Sequence, residues 1–114
     1  MRQFELHTIF TLRKDLLMIK HIILWQLKET LSEDEKTAAR AEAKRRLEAL
    51  NGKIDGMIEL KVVTDRLPSS NADMMLDSSF ESAEALAGYQ TNPLHVEAAT
   101  YVRSVVQARL CLDF

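Results

Sequence analysis

Apolar and polar positions divide the chain into strand-like and helix-like segments. Residues 19–27 form a near-continuous apolar run. His21, Ile23, Trp25 and Leu27 share one side of it, and Ile22 and Leu24 share the other. A strand apolar on both sides is covered on both sides. Ser32, followed three residues later by Glu35, is a capping box. The helix it opens runs to about Leu50, where Asn51-Gly52 stops it. Ala39, Ala43, Leu47 and Leu50 make its inward stripe, and the alanines permit close approach to a sheet.

Gly56 precedes a second strand over residues 57–64, with Ile58, Leu60 and Val62 facing one way and Glu59 and Lys61 the other. Residues 67–72 carry Pro, Ser and Asn and read as a loop. A third strand spans residues 73–80, with Met74, Leu76, Ser78 and Phe80 on one side. Ser82 caps a helix over residues 83–90, and a further helix covers residues 94–102. The last strand, residues 105–114, alternates through Val106, Ala108, Leu110, Leu112 and Phe114.

The order β-α-β-β-α-β predicts an α+β, ferredoxin-like fold with a four-stranded antiparallel sheet. Helices cover one face of such a sheet. The other face would still carry apolar side chains, at about 25 cal/mol per Å2 left in water. A second copy packed sheet to sheet about a two-fold axis shelters that surface and gives a dimeric α+β barrel. Trp25 and Leu27 are expected in that interface. The barrel domain is placed at residues 18–114. Residues 1–17 alternate through Phe4, Leu6, Thr8, Phe10 and Leu12 like an edge strand. They read as an N-terminal extension or as a mis-assigned start ahead of Met18.

With 114 residues the chain is one domain. A net charge of -2 gives no basic footprint for nucleic acid. Arg40, Lys44, Arg45 and Arg46 are interleaved with Glu42 and Glu48, as on a solvated helix face with ion pairs three or four residues apart. Cys111 is the single cysteine, which excludes an intrachain disulfide, fits a cytoplasmic protein and reads as an inert core thiol. No apolar run is long enough to span a membrane. Gly52, Gly56 and Gly88 are punctuation rather than a phosphate loop. His7, His21 and His95 are too dispersed for a metal site, so neither a metal nor a cofactor is expected.

The segment with most chemical content is Tyr89-Gln90-Thr91-Asn92-Pro93-Leu94-His95. Pro93 bends the backbone, so the tyrosine closes one helix and the histidine opens the next. A phenol and an imidazole held together can bind a carbonyl oxygen and move a proton beside it. The structural alternative is that His95 orients the helix start and Tyr89 packs as an aromatic with its hydroxyl satisfied.

Three stretches resemble the Dabb family, the stress-responsive dimeric α/β-barrel domain. They are Met18-Ile19-Lys20-His21 with the strand that follows, the capped acidic helix, and Phe80-Glu81-Ser82 through the Tyr89 to His95 segment. The resemblance covers residues 18–114. It implies a homodimer with a shared barrel and a pocket in each subunit between sheet and helices. A plant polyketide cyclase of this family uses a Tyr and a His at this spacing for an intramolecular aldol condensation, matching Tyr89 and His95. The family's opening-strand histidine matches His21. Asn92 stands where a His often precedes the Pro, and Met74 replaces a further pocket His of that cyclase, so the pocket floor is less polar.

These readings lead to a small-molecule-binding protein whose pocket is organised by Tyr89 and His95, with His21 and Trp25 as ligand-binding residues. The expected ligand is largely apolar with a carbonyl or phenol oxygen. A cofactor-independent lyase or cyclase using His95 and Tyr89 is the alternative. A non-catalytic structural stress protein is the second alternative.

Overall fold

The computed structural model describes residues 18–114. The expected edge strand near the N-terminus and His7 lie outside them. Within them run β1 (Ile19–Leu27), α1 (Glu33–Glu48), β2 (Met57–Val63), β3 (Met74–Phe80), α2 (Ala83–Thr91), α3 (Pro93–Val105) and β4 (Val106–Asp113). The strands form one antiparallel sheet in the order β2-β3-β1-β4. This is the expected ferredoxin-like α+β arrangement, with the second helical segment broken in two at Pro93.

Local chemistry sets these boundaries. Ser32 and Glu35 close a reciprocal capping box, so two backbone N–H groups at the start of α1 are satisfied. The stripe Ala39, Ala43, Leu47 and Leu50 is buried against the sheet. Elsewhere on α1, Arg45 and Arg46 pair with Glu42, and Lys44 with Glu48. Gly56 adopts φ +77, and a Cβ there would sit 2.5 Å from that of Ala85, so glycine lets α2 lie close over the turn before β2. No helix of the described residues is long and apolar enough to cross a membrane.

Register decides which side chains are sheltered, and here four expectations change. Trp25 and Leu27 lie beneath the helices, 5% and 1% exposed, together with His21 and Ile23. They belong to the protomer's own core and not to a dimer interface. The outward stripe of β1 is Ile22 and Leu24, paired with Leu112 and Leu110 of β4. Leu110 and Leu112 are 73% and 63% exposed. In β2 the register slips between Met57 and Glu59, and the extra residue carries Ile58 out to solvent while Leu60 and Val62 stay buried. A second slip between Gln26 and Leu27 pairs Val106 with Leu27, off the alternating stripe that runs through Ala108, Leu110 and Leu112. Cys111 is exposed on the edge strand β4 and is not a core thiol.

Candidate functional site

The site forms where the Pro93 break meets β1 and β4. Asn92 ends α2 in extended geometry, and its side-chain oxygen accepts from the Leu94 N–H at 2.9 Å, capping α3. Pro93 takes the first helical position, where no N–H is needed. The chain therefore turns sharply between two helices. Tyr89 in the last turn of α2 stacks on His95 in the first turn of α3, with ring centroids 4.0 Å apart and planes tilted by 33°. Tyr89 also packs on Phe80 at 4.9 Å and meets His21 edge-on at 6.1 Å.

The rings of His21, Tyr89 and His95 border a cavity of about 190 Å3 between the sheet and α3. Ile23, Trp25, Leu76, Val102 and Val106 give it apolar walls, and His21, Tyr89, Gln90, His95, Arg103 and Arg109 give it polar atoms. Tyr89 is 1% exposed, yet its hydroxyl has no hydrogen-bond partner. Such a group costs about 1–3 kcal/mol when left unpaired in a protein interior. Burial pushes its ionisation well above the ordinary phenol range, so at neutral pH it is a hydrogen-bond donor. Burial likewise depresses the His95 imidazole. The Gln90 carbonyl opposes that shift, while the charges of His21, Arg103 and Arg109 add to it. His95 is thus biased toward the neutral form, its Nδ1 donating a long 3.4 Å hydrogen bond to the Gln90 carbonyl and its Nε2 left as an acceptor.

His21 is held differently. It is 2% exposed, with Nδ1 2.5 Å from Asp113 Oδ1 across the β1–β4 pair. Burial alone would raise the Asp113 carboxyl, but the His21 hydrogen bond and charge, the Cys111 thiol and the Arg109 charge outweigh it and hold the group low. Cys111 Sγ lies 3.4 Å from the same carboxylate oxygen and 3.7 Å from His21 Nδ1. Burial and the neighbouring Asp113 raise its thiol. His21, Cys111 and Asp113 are the one group of metal-type donors gathered among the described residues, all within 4.8 Å. As they stand, these contacts fix the imidazole ring.

The family model for the stress responsive A/B barrel domain, Dabb, matches residues 19–114. The chain belongs to the Dabb family. No curated protein matches it. Among solved structures it is similar to a dimeric protein of unknown function and ferredoxin-like fold from Bacteroides fragilis, with 28% identity, a TM-score of 0.81, and 86% of this chain and 95% of that one covered. It is similar to an Arabidopsis thaliana protein at 25% identity, with a TM-score of 0.63 and 84% and 92% covered. It also shares its fold with a hydroxynitrile lyase from Passiflora edulis, at 20% identity, a TM-score of 0.65, and 85% and 91% covered.

In this Dabb chain the residues singled out in the sequence come together. His21, Trp25, Tyr89 and His95 all border one cavity. The hydroxyl of Tyr89 is not satisfied, in contrast to the structural alternative, whereas His95 does bond the end of α2 through Gln90. Sequence reasoning missed Arg103, Arg109 and Asp113. Arg103 stands eight residues after His95, on the same face of α3 as Ala99, so helical spacing could have found it. Arg109 and Asp113 face the site only because β4 pairs with β1 in this register, Arg109 opposite Trp25 and Asp113 opposite His21.

Proposed function

We propose that this Dabb protein binds a small, largely apolar molecule bearing a carbonyl or phenol oxygen in the cavity beside Tyr89 and His95, and that it works as a homodimer. One observation carries the reading: the Tyr89 hydroxyl is buried, protonated and without a partner at the wall of a cavity. A ligand oxygen would supply the missing acceptor, and His95 Nε2 would take a ligand hydroxyl proton in a hydrogen bond. His21 and Trp25 would form the floor. The homodimer is supported by the apolar stripe Leu24, Leu110, Leu112 and Phe114 and by the Bacteroides fragilis protein being dimeric. The cytoplasmic assignment rests on the single cysteine, and the stress-response role on the family's description.

Ligand-observed NMR with phenol and acetophenone tests the binding reading. Both should bind the wild-type chain, and His95→Ala and Tyr89→Phe should each weaken them several-fold while the dimer persists. Retained binding in both variants contradicts it. Light scattering tests the dimer: Leu110→Asp with Leu112→Asp should give monomers, and Trp25 variants should not act through the interface.

The second reading, a cofactor-independent lyase or cyclase, is favoured by one feature. A neutral imidazole acceptor is stacked on a protonated phenol, the pair needed to take a proton next to a carbonyl and hold its oxygen. It predicts turnover that collapses in both Tyr89→Phe and His95→Ala.

A further inference from the structure

Three donors of the kind that hold metal ions meet where β4 edges the sheet. Asp113 pairs with His21 and Cys111 with Ile23 in the strand register, so all three side chains leave the same face. Their donor atoms lie within 4.8 Å of one another. Leu110 and Leu112 alternate with Cys111 and Asp113 and belong to the opposite face, the one that the proposed dimer covers. Cys111 and Asp113 are exposed, and neither lines the cavity beside His95.

The spacing fits a tetrahedral ion. Zinc holds sulfur at about 2.3 Å and imidazole nitrogen or carboxylate oxygen at about 2.0–2.2 Å, which puts sulfur roughly 3.6 Å from the other two donors and those two roughly 3.3 Å apart. Cys111 Sγ lies 3.7 Å from His21 Nδ1 and 3.4 Å from Asp113 Oδ1. His21 Nδ1 and Asp113 Oδ1 are closer, at 2.5 Å, as a hydrogen-bonded pair. An ion in place of the shared proton opens that pair by about 0.8 Å, and Asp113, exposed at the end of β4, has room to move that far. His21 is already fixed, 2% exposed and met edge-on by Phe80 and Tyr89. A ligand held in this way loses little freedom when it binds.

We infer that His21 Nδ1, the Cys111 thiolate and the Asp113 carboxylate bind one zinc ion across the β1–β4 pair, with water in the fourth position. Thiolate and imidazole select a borderline-soft ion over magnesium or calcium, which take oxygen donors. Thiolate and carboxylate together neutralise its charge. On binding, the Cys111 thiol proton leaves to solvent, and the imidazole carries its proton on Nε2. The ion clips the first strand of the domain to the last, joining residues 92 positions apart. Because only the folded register assembles the three donors, binding adds to the stability of the fold. A count of histidines along the chain hides this set, since Cys111 and Asp113 reach His21 only through strand pairing.

Cobalt(II) and zinc titrations of the full chain, reduced and stripped with a chelator, test this. One cobalt ion per chain should give a thiolate-to-metal charge-transfer band and the strong visible bands of a tetrahedral ion, and one equivalent of zinc should abolish both. Competition with a chromophoric chelator should show zinc affinity at least about 10-fold weaker in Cys111→Ser and in Asp113→Asn, since losing even an outer partner of a metal ligand costs that much. Cys111→Ser should also lack the charge-transfer band. Zinc should raise the melting temperature of the wild-type chain and leave that of Cys111→Ser where it is. Both substituted side chains are exposed, and melts without metal establish that each variant is folded. A wild-type chain without the charge-transfer band, zinc affinity unchanged in either variant, or a rise in melting temperature with magnesium equal to that with zinc would each overturn the site.

Discussion

The two halves of the helix-covered side of the sheet are built to different rules. On the α1–β2–β3 half, polar groups at the packing boundary find partners. Asn51 donates to the Leu60 carbonyl at 2.8 Å and accepts from the Leu60 N–H at 2.9 Å. Glu48 accepts from the Val62 N–H, and Lys44 donates to the Val62 carbonyl. The buried Arg40 Nη1 lacks a hydrogen bond there but lies 4.0 Å from Asp73. On the α3–β4–β1 half, the Tyr89 hydroxyl has no partner, His95 makes one long contact, and a cavity separates helix from strand. One half has spent its hydrogen-bonding capacity on the fold. The other has kept it available, which is what the proposed binding role uses.

Substitutions can break or sharpen this contrast. The largest effect belongs to the packed half. Leu60→Ala removes a side chain 2% exposed and should cost about 2–5 kcal/mol in urea unfolding. Asn51→Ala should cost about 1–3 kcal/mol, because it strands both backbone groups of Leu60. Smaller still is the pH dependence from the site half. Unfolded His95 titrates near ~6.5, and the folded group titrates lower. Between those values the unfolded chain binds more protons, so stability should fall as pH drops below about 6.5. His95→Gln should flatten that slope in denaturant melts at successive pH values. The carboxylates held low, Glu42 and Asp113, give a separate loss at more acidic pH.

The same contrast explains what could be read without a structure. The capping box, the α1 stripe and the Tyr89–Pro93–His95 bend depend on neighbours within a few residues, and each was legible. The core registers of β1 and β3 followed from alternation. What escaped was set by pairing at long range. Arg109 and Asp113 reach the site through a β1–β4 register joining positions some 90 residues apart. Ile58 and Val106 were misplaced because a one-residue slip in a strand is invisible to alternation. Alternation gives the two faces of β1 but not which one the helices cover, so the sequence reading puts Trp25 and Leu27 in the interface when they belong to the core.

Tyr89→Phe puts the central claim to the most direct test, with stability and phenol affinity measured on the same preparation. The change deletes only a buried hydroxyl that the fold leaves unpaired. The predicted result is stability that is unchanged or higher by up to about 1 kcal/mol, together with phenol binding weakened several-fold. A variant that is destabilised by more than about 1 kcal/mol and binds phenol as tightly as the wild type would contradict the account.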